Sequence, residues 1–599
     1  MTLSSIPGLL QEAIGHQRAG RLPQAEALYR QVLAMSPDHP DALHLLGTLA
    51  LQASRPDMAI PLIERAIALR PAAPMFCNLG IALRALGRYE EAAGQFRRAI
   101  ALEPGNVLAH AWLGQTLQQG LGQPAAAVAS YRQALALKPD HVEVHNNLGM
   151  ALKDLGQLDD AVAHFRAAIA LRPDWLEVRS NLLLVLSFHP GCTPAEYLAE
   201  ARAYGALAAS RAKPYTHWLT AAPGAGRGPL RVGMVSGDLQ NHPVGYFLEA
   251  ILPHIDRSRI ALHAYPTKLQ ADELTGRIRP LFAGWNPIAG MSDEQAARRI
   301  HDDGIDLLLD LAGHTAWNRL PLFAWKPAPV QASWLGYFAS TGVAAIDFLV
   351  TDRTSVPDAA RAFFSEQLWY LPETRLCFAP PRPAPEPSAL PALHNGFVTF
   401  GSFQGMAKIR DEVLALWARV LRAVPGARLR LQNKEAADPQ MQQQLLEKLE
   451  RLGVERERVA LAGPTDRAHY LAAYAAVDIV LDTFPYPGGA TTCEGLWMGV
   501  PTLTLAGNTL LARQGASLLD AAGLPAWIAR DEDDYVARAA RLAADTAALA
   551  QLRASLRDRL PASPLMDARR FAGHLESALL GMASRQCPDP TSSMPGVTS

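Results

Sequence analysis

The chain carries two textures of apolar and polar residues, and they change over between residues 190 and 230. Before that point apolar residues recur every three or four positions, the period of a helix with one buried face. The helical stretches are short and come in pairs, and three ladders run through them in step. Proline follows an apolar residue and one spacer at Pro37, Pro71, Pro104, Pro139 and Pro173, at intervals of 34, 33, 35 and 34. Glycine follows leucine at Gly47, Gly80, Gly114 and Gly149. Alanine recurs at Ala25, Ala59, Ala92, Ala127 and Ala161, each with a large side chain four residues on: Tyr29, Ile63, Phe96, Tyr131 and Phe165.

One period near 34 in three ladders predicts tetratricopeptide repeats. Small Gly and Ala let two antiparallel helices approach, the large residue fills the space beneath them, and proline ends the second helix because it cannot continue it. Each pair leaves an apolar face that the next pair covers, so the array winds into an α-solenoid with a concave groove. Five repeats fill roughly residues 6–173, a sixth begins at 174, and the array is assigned to 1–189. Asn78 and Asn147 stand before a Leu-Gly pair, and Asn181 has the same phase in the sixth repeat. Amides on that helix face can hydrogen-bond a peptide backbone without reading its side chains, so these three are candidate acceptor-groove residues. The competing reading is a common filler residue, and Leu45 and Trp112 break the series.

From residue 229 short apolar strands alternate with helices. Strands are expected at 230–236, 260–266, 305–311, 330–335 and 346–351, with helices at 247–255 and 293–303. After a proline-rich break at 380–391 a second series follows, with strands at 397–403, 429–432, 459–462, 479–482 and 502–505. Helices at 411–423, 441–452, 468–476 and 492–498 lie between them. Apolar strands separated by helices imply parallel sheets covered on both faces. Two such Rossmann-like halves, 229–385 and 386–585, facing a cleft form the α/β arrangement called GT-B. Ligands then bind at the carboxyl ends of the strands. Residues 190–228 read as a junction and linker, and the Pro/Ser/Thr-rich end, 586–599, as a disordered tail.

Composition narrows the class. Of 599 residues 49% are hydrophobic and 19% charged, with a net charge of −1, which supports several globular cores and argues against a nucleic-acid partner or an anionic membrane surface. The five cysteines are scattered and lack C-x-x-C spacing, so neither structural zinc nor a disulfide framework is expected. With no basic-then-apolar leader at the start and no run of about 18 apolar residues, the expectation is a cytoplasmic protein.

Five ordered motifs then become specific: residues 231–247 (RVGMVSGDLQNHPVGYF), 306–315 (DLLLDLAGHT), 326–337 (KPAPVQASWLGY, with Arg319 before it), 396–409 (GFVTFGSFQGMAKI) and 481–501 (LDTFPYPGGATTCEGLWMGVP). Together, behind a repeat array, they resemble the SPINDLY/O-GlcNAc transferase family over residues 230–582, and the FPYPGG and TTCE wording is closer to the SPINDLY branch. The resemblance implies an inverting enzyme that moves N-acetylglucosamine from UDP-N-acetylglucosamine to Ser or Thr of proteins. GDP-fucose is the alternative donor, because the plant SPINDLY branch uses it. A non-enzymatic repeat scaffold and an enzyme acting on small molecules or glycans are the rival classes. Protein or peptide acceptors in the groove and a nucleotide sugar are the implied partners, with a homodimer through the repeats as a further expectation.

A departing diphosphate must be neutralised, by a metal or by lysine and helix N-terminal N–H groups. The only Asp-x-Asp here lies in the run starting at Asp531, which reads as a solvated helix start, so no metal is expected. Lys408 follows a strand, and the family's matching lysine binds the donor diphosphate. Gly488 and Gly489 let backbone approach phosphate, while Thr491 and Thr492 add hydroxyls at a helix start. Glu494 matches the family's acidic residue and is expected on ribose or sugar hydroxyls. Gln404 belongs to the donor side, although Gln404-Gly405 and Ala490 depart from the family's usual residues and put donor selection in doubt. His242, after the first strand, is the candidate base for the acceptor hydroxyl, with substrate phosphate as the rival base. His314, ending another strand, is expected to touch donor or acceptor.

Overall fold

The computed structural model describes residues 5–218, 228–381 and 383–585. The expected tail, 586–599, and part of the expected linker, 219–227, lie outside the described residues. The chain divides after Pro173 into two compact units.

In the first unit the three ladders do what their chemistry requires. Helix pairs such as Ala73–Ala85 with Tyr89–Leu102 and Val142–Asp154 with Leu158–Leu171 repeat along it. A Cβ placed on Gly47 would lie 2.6 Å from Ile63, on Gly80 2.7 Å from Phe96, on Gly114 2.6 Å from Tyr131 and on Gly149 2.8 Å from Phe165. Each glycine therefore exists to admit the large residue of its own repeat. The ladder alanines Ala25, Ala59, Ala92, Ala127 and Ala161 are fully buried. The second helices stop two residues before their prolines, as Pro56–Leu69 does before Pro71.

The second unit opens with helices Leu176–Leu186 and Pro194–Ser210. The second of these corrects the expected linker: 17 residues of 190–228 are helical, started by a capping box between Thr193 and Glu196. The Pro-Gly pair at 190–191 read as a boundary, but Thr-Pro-Ala-Glu is a helix-start signal that outweighs it. This helix is built into the α/β unit. A Cβ on Gly205 would overlap the Gly342 carbonyl, Gly342 has φ +72°, and Tyr197 Oη donates to the Ser340 carbonyl at 2.9 Å. No side chain fits at that crossing, so backbone lies on backbone.

Two all-parallel sheets follow. The first contains β1 (Leu230–Ser236), β2 (Ile260–Pro266), β3 (Gly284–Trp285), β4 (Leu307–Asp310), β5 (Val330–Ser333), β6 (Phe348–Thr351) and β7 (Gln367–Tyr370), in the order β3-β2-β1-β4-β5-β6-β7. The second contains β8 (Thr399–Ser402), β9 (Arg428–Gln432), β10 (Val459–Ala462), β11 (Ile479–Leu481), β12 (Thr502–Leu505) and β13 (Ile528–Ala529), in the order β10-β9-β8-β11-β12-β13. Both wind outward from a centre, so strand order reverses between β1 and β4 and again between β8 and β11. Those switch points open a crevice at the carboxyl ends of the strands. The pair of Rossmann-like halves is the GT-B arrangement. The unexpected strands, β3, β7 and β13, are edges of two to four residues, too short to leave an apolar run in the sequence.

The halves are stitched by buried polar contacts. Ser517 Oγ donates to Asp352 at 2.8 Å, Arg513 Nε to the Thr354 carbonyl at 2.6 Å, and Arg375 to Gln514 at 2.8 Å. The last helix, Ala568–Arg585, returns to the first half, where Glu576 accepts from the Asp256 N–H and from Arg259.

Candidate functional site

At the second switch point the chain leaves β11 and turns through Asp482–Gly489 into helix Ala490–Trp497. Asp482 sets this turn. Its Oδ1 accepts the Gly488 N–H at 2.7 Å and the Thr483 N–H at 3.0 Å, while Oδ2 accepts the Thr504 hydroxyl at 2.8 Å. Burial pushes its carboxyl up to about 6, opposed by those donors and by Lys408. The Gly488 carbonyl accepts from Gln514 Nε2 at 3.3 Å, and Gln514 in turn accepts from the buried guanidinium of Arg375. The turn is thus held from both of its peptide groups.

Polar atoms converge on the outside of that turn. A Cβ on Gly488 would meet the hydroxyls of Thr492 and Thr491 and Nε2 of Gln404. Gln404 Nε2 donates to Thr491 Oγ1 at 2.8 Å, and its own carbonyl accepts from Asn433 at 3.2 Å. The Thr492 hydroxyl is buried and has no partner, which leaves an orphaned donor where helix N–H groups also point. Gly488, Gly489, Gln404, Thr491 and Thr492, singled out from sequence, come together here.

Lys408 belongs to the same place. It ends the short 3₁₀ turn Met406–Lys408 after β8, the other strand of the switch point. Its ammonium donates to the Pro487 carbonyl at 3.1 Å and sits 3.8 Å above the Tyr486 ring. Burial pulls its pKa down to about 8, and Asp482 works against that shift. Tyr486 is itself wedged against Phe188 and Phe338, with ring centroids 5.3 Å apart in each case. The lysine therefore stands on an aromatic shelf beside a glycine turn, cationic near neutral pH.

Glu494 corrects an expectation. It is 3% exposed, its Oε1 pairs with Arg467 at 2.7 Å and its Oε2 accepts from Tyr470 at 2.9 Å. Tyr470 also pairs with Tyr474, whose hydroxyl donates to the Thr491 carbonyl. The carboxylate is engaged with protein on both oxygens, so it braces the helix rather than presenting a free acceptor for a sugar.

On the first half, His242 caps helix Pro243–Ile251 at the β1 switch point, accepting the Val244 N–H on Nδ1 at a long 3.4 Å. Asp238 Oδ2 lies 3.7 Å from the same nitrogen, and the ring is 42% exposed. Burial lowers its pKa below the usual value, with Asp238 opposing and Lys268 assisting, so the ring is neutral at neutral pH. His314 does not join it. It is 1% exposed, with Nδ1 3.0 Å from Ser180 Oγ and Nε2 3.0 Å from the Thr341 carbonyl, edge-on to Tyr204 and Tyr337. Burial drives it down to about 3. The expected ligand histidine is a neutral clasp between the first-half loops and helices Leu176–Leu186 and Pro194–Ser210. Its place at a strand end gave no sign that those helices cover it.

In the repeat array Asn78 donates to Thr48 Oγ1 at 3.0 Å and lies 2.8 Å from His44 Nε2. Asn147 accepts from Asn146 at 3.4 Å. Asn181 lies on helix Leu176–Leu186 of the second unit and also has a partner. The run starting at Asp531 is a capped helix start, with Asp531 accepting the Asp534 N–H at 2.8 Å. Sequence reading passed over Asp482, Gln514 and Arg375. Asp482 had a visible signal, an acid at a strand end six residues before a glycine pair. Gln514 and Arg375 had none.

A family model described as Glycosyl transferase family 41 matches residues 207–378 and 389–575. Tetratricopeptide models match residues 10–74, 80–120 and 116–174. The "Probable UDP-N-acetylglucosamine--peptide N-acetylglucosaminyltransferase SPINDLY" of Solanum lycopersicum is 42% identical over 364 residues, 60% of this chain and 39% of that protein. The corresponding "SEC" protein of Arabidopsis thaliana is 27% identical over 372 residues, 60% of this chain and 37% of that one. The chain spans about two fifths of the length of these curated relatives. Among solved structures, an O-GlcNAc transferase mutant of Thermobaculum terrenum matches with a TM-score of 0.79 at 34% identity, covering 86% of this chain and 98% of that one.

Proposed function

Because the chain belongs to glycosyl transferase family 41, we propose that it is a protein O-glycosyltransferase that moves one sugar from a nucleoside-diphosphate sugar to a Ser or Thr hydroxyl. The observation that carries this reading is Lys408 standing beside the Gly488–Thr492 turn at one switch point. A lysine, an orphaned threonine hydroxyl and a helix start form a cradle for phosphate oxygens.

In the reaction the acceptor oxygen attacks the anomeric carbon, and the bond from that carbon to the diphosphate breaks with its electron pair leaving on the phosphate. A single displacement inverts the configuration. Lys408, the hydroxyls of Thr491 and Thr492 and the first N–H groups of helix Ala490–Trp497 receive the developing charge, with no metal in the scheme. Such preorganised donors act where charge appears. His242 takes the acceptor proton on Nε2. That role needs the other proton on Nδ1, turned toward Asp238, because an Nδ1 that accepts from Val244 leaves hydrogen on Nε2. The groove of the repeat array, with Asn78 and Asn147, holds the acceptor chain. The described free cysteines, Cys77, Cys192, Cys377 and Cys493, fit a reducing, cytoplasmic setting.

UDP-N-acetylglucosamine is the donor we favour, in line with the names of the relatives. GDP-fucose is the second reading, supported by the FPYPGG wording, which is closer to the SPINDLY branch. The test is release of UDP or GDP from a panel of sugar donors, with mass spectrometry of co-expressed proteins. Sugar on Ser or Thr, lost in Lys408→Ala, is the expected result. A chain that binds neither nucleotide by calorimetry is a scaffold, and the proposal falls.

A further inference from the structure

Large apolar side chains left in water usually mark a contact surface when they cluster. Leu269 and Trp317, 77% and 62% exposed, are the two most exposed large apolar side chains among the described residues. Both adjoin Lys268, one along the chain and one across space. Leu269 follows it in the chain after β2, and Trp317, from the loop after β4, lies with its ring 5.0 Å from the Lys268 ammonium.

The Trp317 backbone is strained to reach this position. Its φ is +63°, a left-handed conformation that is costly for a bulky residue and persists only when the surroundings enforce it. The enforcement is visible. Thr267 Oγ1 donates to the Trp317 carbonyl at 2.9 Å. The next residue, Asn318, is tied to the Thr315 carbonyl at 2.8 Å and to Ser180 Oγ at 3.2 Å. Gly237 leaves room for the approach, since a Cβ there would lie 2.8 Å from Trp317 Cβ. A loop anchored on both sides thus holds one aromatic ring out to solvent.

The ring is wired to the catalytic rim. Lys268 Nζ lies 3.8 Å from Asp238 Oδ1, and the other oxygen of Asp238 lies 3.7 Å from His242 Nδ1. Trp317, Lys268, Asp238 and His242 therefore line the carboxyl ends of β1, β2 and β4, on the first half. The phosphate cradle belongs to the second half. The occupant of this platform is accordingly the molecule that brings the hydroxyl to His242. Asp238 balances Lys268, so the surface asks for apolar contact rather than for an anion.

We propose that Trp317, Lys268 and Leu269 form a docking platform for the acceptor polypeptide, selecting a bulky apolar or aromatic side chain a few residues from the modified Ser or Thr. His242, Asp238, Lys268 and the ring are linked by gaps of 3.7, 3.8 and 5.0 Å, a path that about three or four positions of an extended peptide cover at about 3.3 Å per residue. The inference rests on His242 marking the acceptor side.

The experiment uses the full chain and two fluorescein-labelled Ser/Thr peptides that differ only in carrying Tyr or Gly at positions three and four from the hydroxyl amino acid. Anisotropy in the presence of UDP or GDP reads peptide binding without turnover, so a failure of transfer chemistry and a failure of the platform are separable. The Tyr peptide is expected to bind about five- to tenfold more weakly to Trp317→Ala, the scale of one aromatic contact. The Gly peptide and UDP or GDP affinity stay unchanged, and Trp317→Phe restores most of the loss. Equal binding of the two peptides by the unmodified chain overturns the proposal. So does a Trp317→Ala effect on nucleotide affinity instead of peptide affinity, which would make the ring part of the donor site.

Discussion

The two switch points of this molecule are built in opposite ways. On the second half nearly every polar atom of the turn is spoken for: Asp482 holds two N–H groups and a hydroxyl, Gln514 holds the Gly488 carbonyl, and Gln404 holds Thr491. What remains open is one threonine hydroxyl, one helix start and the Lys408 ammonium. On the first half the rim is loose. His242 has one long hydrogen bond, Lys268 stands nearly 4 Å from its carboxylate, and Trp317 faces water. On the function proposed above, the second-half turn meets a diphosphate that is the same in every donor, which a rigid cradle suits. On the proposed acceptor side, an exposed ring on an anchored loop can select one side chain of the incoming segment and leave the rest unread.

The largest effect should come from the rigid side. Lys408→Ala is expected to lower both transfer and donor hydrolysis by about 10²- to 10³-fold, the scale of losing one charge-stabilising donor, with an unchanged circular-dichroism melt. If hydrolysis survives while transfer is lost, the lysine serves the acceptor and the contrast between the rims is drawn the wrong way. His242→Gln should reduce transfer by about 10²-fold, as removal of a general base does, while UDP or GDP affinity measured by calorimetry holds steady. A parallel loss of nucleotide affinity would erase the distinction between the two sides.

Smaller and more diagnostic is Gly488→Ala. Its methyl group would crowd Thr491, Thr492 and Gln404, all side-chain atoms that can shift. About tenfold weaker nucleotide binding is expected, roughly 1.4 kcal/mol, with peptide binding intact. The pH dependence of kcat/KM for the donor should fall above about pH 8, where the Lys408 ammonium, already lowered to about 8 by burial, loses its proton. It should fall again on the acid side, below the ordinary histidine range, as His242 becomes protonated. A Lys408→Arg variant that retains activity should lose the alkaline limb; persistence of that limb would assign it to another group. The smallest change in activity belongs to His314→Gln. Losing two buried hydrogen bonds should cost on the order of 1–3 kcal/mol of stability, read by urea unfolding, with KM for the donor unaltered.

Much of this was legible in the amino-acid order. The glycine and large-residue ladders named their own partners, Gly80 with Phe96 and Gly149 with Phe165, because one repeat packs against itself and the contact is local in sequence. The glycine turn and helix start at 479–498 were legible for the same reason: Gly488, Thr491 and Thr492 are neighbours along the chain. Lys408 needed the family resemblance, and the structure then supplied its partner, the Pro487 carbonyl.

The local periodicities thus determined the solenoid, the alternating strands and the glycine turn, since each depends on spacing within about forty residues. Tertiary structure alone decided what lies across from what. It put helices Leu176–Leu186 and Pro194–Ser210 over His314 and closed both oxygens of Glu494 with Arg467 and Tyr470. It also brought Arg375 and Gln514 behind Gly488, and Trp317 over Lys268. Whether a polar side chain is free for a ligand or consumed by the protein depends on neighbours distant in sequence, and spacing along the chain carries no information about them.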